Sequence, residues 1–233
     1  MVKIKPIIGI VGRLYSGESN IICVEEVRLA VTKMGGIPLL VLPIDKGDIG
    51  LKNHYYTIED IKEIGSILKC CNGFILPGGD TWYQIDEIVI NYAIKNDKPL
   101  LAICLGMQAL SKVLAGEEKR IAYDNTLKNN TFINHFEPLK DYVHEVIINK
   151  NSKLYSIIGK DKIFVNSRHN YHVPLLDDYL ISARSSDGLI EGVELKDKKF
   201  IIGVEWHPET NLDKDINSWR LFKAFLECSQ KFH

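Results

Sequence analysis

Lys98-Pro99-Leu100-Leu101-Ala102-Ile103-Cys104-Leu105-Gly106-Met107-Gln108-Ala109-Leu110-Ser111-Lys112-Val113-Leu114 is the stretch on which the reading of this chain turns. Pro99 to Ile103 is a short continuous apolar run, as expected of a strand buried on both faces. Beyond it the period changes. Met107, Leu110 and Leu114 recur at helical spacing, with Ser111 and Lys112 on another face. Cys104 stands at the change-over, with Ala102 two residues before it and Gly106 two after. Small-x-nucleophile-x-Gly is the pattern of a nucleophile elbow, here with sulfur in place of hydroxyl. So sharp a strand-to-helix turn needs small neighbours, because a side chain there would collide with the adjoining backbone. The turn is expected to lift the thiol to the carboxyl end of a sheet and to aim a helix N-terminus at it. The positive end of that helix favours thiolate, the attacking form. A cysteine merely buried in a strand is the plainer alternative. The switch of period and the glycine at +2 favour the nucleophile.

Strand and helix signals alternate on both sides of this stretch. Pro6 to Val11 reads as a buried first strand, followed by Gly12, Arg13 and a polar loop through Asn20. Cys23 to Met34 has helical periodicity and ends at Gly35-Gly36. Ile37 to Leu42 is a second strand, residues 45–54 a loop, and Ile58 to Leu68 a helix. Gly73 to Leu76 is a third strand that breaks into Pro77-Gly78-Gly79-Asp80, a turn able to offer bare backbone N–H groups to an anion. Ile85 to Lys95 is the helix leading into the central stretch. This alternation predicts a parallel sheet with functional groups at the strands' carboxyl ends. Residues 115–142 read as loops lining one side of the site. Shorter strands follow at Val143–Ile148, Ile163–Val165, Leu180–Ala183, Leu189–Glu194 and Phe200–Val204, and a final helix runs from Ile216 to Cys228.

With 233 residues, no internal repeat and no linker, the chain reads as one domain over residues 1–233. A net charge of -1 supplies no basic field for nucleic acid or an anionic membrane surface. No apolar run approaches the length of a membrane span, and Met1 to Pro6 lacks the pattern of a signal peptide. Five cysteines, two of them the adjacent Cys70 and Cys71, do not make a disulfide framework. A reducing cytoplasm is the expected setting.

A cysteine nucleophile needs a base within hydrogen-bond reach and a group to orient that base. Of seven histidines, His233 is terminal, and His54 and His135 fall in polar loops and read as solvated. His207 differs. It follows the apolar strand Phe200–Val204 within Glu205-Trp206-His207-Pro208-Glu209, at the rim where Cys104 is expected. Pro208 stiffens the turn, and Glu209 is close enough to receive the second imidazole N–H. No cysteine or histidine group has metal-ligand spacing along the chain.

Together these segments resemble the class I glutamine amidotransferase superfamily, specifically the peptidase C26 branch of γ-glutamyl hydrolases. The resemblance rests on Pro6–Ile10, Gly35–Pro38, Gly73–Asp80, Pro99–Gln108, Val165–His169, Asp187–Glu191 and Gly203–Glu209, in order and spacing over nearly the whole chain. It implies a three-layer αβα, flavodoxin-like fold with a mostly parallel central sheet. It assigns Cys104 as nucleophile, His207 as general base and then acid, and Glu209 as the orienting carboxylate. The implied oxyanion hole is the backbone N–H of Gly79 and of Leu105, and the elbow reading points to Leu105 independently. Gln108 and the segment Asn166-Ser167-Arg168-His169 match substrate-side positions. The implied substrate is a small γ-glutamyl amine, with neither metal nor cofactor, and a homodimer is allowed. Two departures fall toward the leaving group. Ala115–Arg120 replaces a Gly-Gly-Thr-Leu-like segment, and Asn170-Tyr171 stands where the branch has a glutamine. The alternative is a glutaminase subunit feeding ammonia to a synthetase partner. A third reading, a non-catalytic binding protein on the same fold, is weakened by the presence of Cys104, His207 and Glu209 together.

Overall fold

The computed structural model describes residues 4–14, 20–42, 56–80, 83–123 and 131–232; His54 and the loop read at 45–54 lie outside them. In the first part of the chain, strands β1 (Ile7–Val11), β4 (Ile37–Val41), β5 (Gly73–Leu76) and β6 (Leu100–Ile103) alternate with helices α1 (Glu25–Lys33), α2 (Ile58–Leu68) and α3 (Gln84–Lys95). Helix α4 (Leu105–Tyr123) follows β6 directly. A two-strand ribbon, β2 (Arg13–Leu14) with β3 (Ile21–Ile22), flanks the stretch read as a polar loop. The second part holds β7 (His144–Ile148), α5 (Lys153–Ile158), β8 (Lys162–Val165), β9 (Leu180–Ser185), β10 (Ile190–Glu194), β11 (Ile201–Val204) and α6 (Ile216–Ser229).

Nine strands form one sheet in the order β4-β1-β5-β6-β11-β10-β9-β7-β8. The five from β4 to β11 are parallel, and the remaining four extend the sheet antiparallel. β6 lies inside it, fourth of the nine and next to the central β11, and all four of its side chains are fully buried. Successive residues of a strand point to opposite faces. Leu101 and Ile103 accordingly join a core layer with α1, α5 and α6, while Leu100 and Ala102 join a second layer with α2, α3 and α4. This is the three-layer αβα arrangement with a mixed, mostly parallel sheet.

Two helices depart from the expected elements. Residues 115–123 are helix rather than loop, because α4 continues unbroken to Tyr123; the run Glu117-Glu118-Lys119-Arg120 consists of good helix formers. Helix α5 was not anticipated. It is one and a half turns long, too short for a periodic signal, and is fixed by its ends: Ser152 accepts from Tyr155 N (2.9 Å), and Gly159 closes it at φ +72°.

Candidate active site

Cys104 occupies the turn between β6 and α4 with φ +50°. A non-glycine residue in the left-handed region is strained by about 1–3 kcal/mol and persists only where its surroundings hold it. Here they do: Cys104 N donates to Val204 O (2.8 Å), and Cys104 O accepts from Gln108 N (3.0 Å), the first bond of α4. Gly106 is required by close approach, since a Cβ there would lie 2.3 Å from Leu76 O on the neighbouring strand.

His207 reaches the same rim by strand register. β11 pairs parallel with β6, Val204 opposite Ile103, so Cys104 and Glu205–His207 leave the sheet side by side. His207 Nδ1 stands 2.7 Å from Glu209 Oε1, and Pro208 opens the 3₁₀ turn (Pro208–Asn211) that brings the glutamate back beneath the ring. Asn166, at the end of β8, grips the backbone of this turn. It accepts from His207 N (2.8 Å) and donates to His207 O and Thr210 Oγ1, both at 2.9 Å.

The loop after β5 closes the other side. Arg13, 3% exposed, pairs with the fully buried Asp86 at 2.8 Å and donates to Pro77 O from Nε (3.1 Å) and Nη2 (2.9 Å). That holds Gly78 and Gly79 against the site. A Cβ on Gly78 would meet the His207 ring at 2.6 Å, and one on Gly79 would meet Arg13 at 3.0 Å and Leu105 at 3.3 Å. Sequence reading missed both Arg13 and Asp86. The signal available was an arginine directly after a buried strand.

The electrostatics differ from the expected thiolate. Burial pushes the Cys104 thiol well above its ordinary value, and Glu205 adds to the shift; the Leu105 backbone N–H, directed at the sulfur, only partly offsets them. Burial also pushes Glu205 up to about 8, against the pull of His169. Gln108 Nε2 donates to Glu205 Oε1 and, at 3.5 Å, to Tyr171 O.

The residues at the expected substrate-side positions differ in exposure. Gln108 is half-buried beside Glu205, and Arg168 is half-buried in a bridge with Phe136. Asn166, Ser167 and His169 are buried and engaged internally: Asn166 holds the His207 turn, while Ser167 and His169 face inward. Each of the three thus has an internal partner in addition to its expected place on the substrate side. The reading of His135 is corrected, the residue being 2% exposed rather than solvated.

His135 belongs to a buried group with His144, His169 and Glu191 whose four candidate donor atoms all lie within 4.8 Å of one another. Burial opposes charge on each member, yet Glu191 raises His169 to about 9 and His135 above its usual range. Burial pushes His144 down. Burial alone would raise Glu191, but His135 and His169 hold it at about 2. A cavity of about 300 Å³ opens onto this group through the 131–136 segment with His169 and Asn170; Cys104, His207 and Glu209 do not line it. Among the described residues no helix is long and apolar enough to cross a membrane.

Comparison with known proteins agrees with the fold. The profile of the Peptidase C26 family matches residues 83–209. A Schizosaccharomyces pombe protein that bears a glutamine amidotransferase name, PB2B2.05, is 32% identical, the match covering 88% of this chain and 81% of that protein. The γ-glutamyl-γ-aminobutyrate hydrolase of Escherichia coli is 25% identical over 97% of this chain and 94% of its own length. The glutaminase domain of Trypanosoma brucei CTP synthase, solved with bound acivicin, superposes with a TM-score of 0.68 at 17% identity, covering 98% of this chain and 95% of that one. The last likeness is one of fold, and those to the S. pombe and E. coli proteins are of sequence over most of both chains. The chain belongs to the Peptidase C26 family.

Proposed function

We propose that this protein is a cysteine-dependent γ-glutamyl hydrolase that cleaves the γ-glutamyl amide bond of a small γ-glutamyl amine through a thioester and releases glutamate. The observation that carries this reading is the strained elbow cysteine beside an imidazole bonded to Glu209 at 2.7 Å and clamped by Asn166. Because burial keeps the resting thiol protonated, attack is coupled to proton transfer. His207 takes the thiol proton as sulfur adds to the γ-carbonyl. The N–H groups of Leu105 and Gly79 receive the oxyanion, and His207 then delivers the proton to the departing amine. Water, deprotonated by the same imidazole, adds to the thioester; collapse frees glutamate and restores the thiol. Of the proposed substrate-side residues Gln108, Asn166, Ser167, Arg168 and His169, the half-buried Gln108 and Arg168 are the more accessible and are the proposed direct contacts.

The sequence similarity to a γ-glutamyl-γ-aminobutyrate hydrolase over nearly both full lengths supports a hydrolase and this bond type. A glutaminase serving a synthetase is the second reading, favoured by the name of the S. pombe relative. The chemistry is tested by acid quench of a γ-glutamyl-γ-aminobutyrate reaction followed by peptide mass spectrometry. A glutamyl adduct on Cys104 is expected, absent from Cys104→Ala, whose turnover falls by as much as about 10⁶-fold. An adduct on another residue, or turnover retained in Cys104→Ala, would overturn the assignment.

A further inference from the structure

We infer that His135, His144, His169 and Glu191 form a closed tetrahedral site for a divalent transition-metal ion, best suited to Zn²⁺, whose role is to brace the frame behind His207. The site is separate from the catalytic thiol, and no step of the proposed hydrolysis passes through it.

The donor spacing is the first argument. Tetrahedral Zn²⁺ with bonds of about 2.0–2.1 Å holds its ligand atoms about 3.3–3.4 Å apart. Here His135 Nδ1 lies 3.2 Å from His169 Nε2 and 3.3 Å from Glu191 Oε1. Glu191 Oε1 lies 3.5 Å from His169 Nε2 and 3.6 Å from His144 Nε2; the remaining two pairs, from His144 to His135 and to His169, lie within 4.8 Å, so His144 is the ligand that must draw in to complete the tetrahedron.

The outer partners are the second. His135 turns Nε2 to Asp187 Oδ2 at 2.9 Å, His169 turns Nδ1 to Tyr171 O at 2.8 Å, and His144 turns Nδ1 to Glu145 O at 3.3 Å. A carboxylate and two carbonyls can only accept, so each outward nitrogen carries the hydrogen, and each inward nitrogen of a neutral ring presents a lone pair. This is the pattern that orients ligand histidines. When the inward protons are displaced, three lone pairs and a carboxylate converge on one point, a donor set that a divalent cation fills. Inside the group, His135 Nδ1 has a hydrogen-bond approach to His169 and one of 3.4 Å to Ser167 Oγ. The buried His144 Nε2 and both Glu191 oxygens lack hydrogen-bonding geometry altogether. Orphaned buried polar atoms of this kind call for a missing partner.

The position completes the case. The ligands come from β7, β10, the segment after β8 and the 131–136 segment, and the cavity of about 300 Å³ gives an ion a way in. Four protein ligands leave no open coordination position, which is the mark of a structural rather than a catalytic site. His169 lies three residues from Asn166, whose amide holds His207 in place.

The test uses the full-length Cys104→Ala protein, so that the elbow thiol cannot compete for metal. Stripped protein is titrated with Zn²⁺ by calorimetry and with Co²⁺ by visible absorption. One equivalent per chain is expected. The Co²⁺ spectrum should show intense tetrahedral d–d bands without thiolate-to-cobalt charge transfer, and the melting temperature should rise with Zn²⁺. Adding His144→Leu should weaken binding by more than about 100-fold, and adding Asp187→Asn by about 10–100-fold, with circular dichroism reporting the fold. If His144→Leu fails to fold, the parent stoichiometry and spectrum together with Asp187→Asn decide. Failure of the folded parent to bind either ion, charge-transfer bands that put the metal on cysteine, or undiminished binding in the folded variants would overturn the proposal. In that case protons alone hold the four side chains together. Because no arm measures hydrolysis, this result is independent of the proposed activity.

Discussion

At Cys104 two properties pull in opposite directions. The elbow strains its backbone and lifts the thiol to the rim, while its 7% exposure and the nearby Glu205 keep the sulfur protonated. A general alkylating reagent should therefore find exposed Cys70 first. Brief iodoacetamide treatment is predicted to label Cys70 well ahead of Cys104, whereas a chloroketone analogue of glutamine reverses the order by using the oxyanion donors and His207. Peptide mass spectrometry reads both; preferential iodoacetamide labelling of Cys104 would mean that its thiol is ionised at rest. The orienting group has its own signature. Glu209→Gln leaves the base in place but without its charged partner, so kcat should fall by about 10³–10⁴-fold, against about 10⁶-fold for His207→Ala. Single-turnover rates on one substrate compare them, and the reverse ranking would exchange their roles. Cys104, His207 and Glu209 could be picked out from sequence because each sits in a local pattern: period change, strand end, His-Pro-Glu. Asn166, Arg13 and His135 could not, because what they touch is distant in the chain. An asparagine in a polar turn looks the same whether it meets substrate or grips a backbone.

The elbow itself is made by three neighbouring elements, β5, β6 and α4. Gly106→Ala would put a methyl 2.3 Å from Leu76 O, and a backbone oxygen inside a paired strand has little room to retreat. The expected cost is about 1–3 kcal/mol in urea unfolding, accompanied by lost activity as the elbow shifts; unchanged stability would show that α4 can slide. Arg13 and Asp86 join the start of β2 to the first turn of α3 across the Pro77 carbonyl. Arg13→Met leaves a buried carboxylate without its partner, a loss of about 3–5 kcal/mol. Adding Asp86→Asn should recover most of the stability but not the activity, because the Gly78–Gly79 loop still lacks its anchor. Full recovery of both would reduce the pair to a packing role. The elements flanking the elbow were well marked in sequence by continuous apolar runs and clear stops, and Ile58–Leu68 has the bounds read from its periodicity. Helix α4 was cut short because the apolar stripe that marks a helix stops near Leu114 while the backbone does not. Helix α5 depended on a serine cap and a glycine stop over six residues.

Across the whole molecule the two halves divide the work. The parallel half carries Cys104, the Gly78–Gly79 loop and, on β11, the approach to His207; the antiparallel half carries β7, β8 and β10 with Asn166 and the histidine–glutamate group behind it. Its members run from position 135 to position 191 and converge only once four elements pair, so linear spacing contained no sign of them. Sequence patterns were strongest where strand, turn and helix succeed one another at once, and faded where function depends on pairing order. The central claim is that the isolated chain already holds a working γ-glutamyl site. It is tested most directly by glutamate release from γ-glutamyl-γ-aminobutyrate, γ-glutamylputrescine and glutamine at matched concentrations with the purified protein alone. The account predicts Cys104-dependent release, faster from a substituted amide than from glutamine. Negligible release from every γ-glutamyl amine, with glutaminase activity appearing only when a synthetase partner is added, would contradict it.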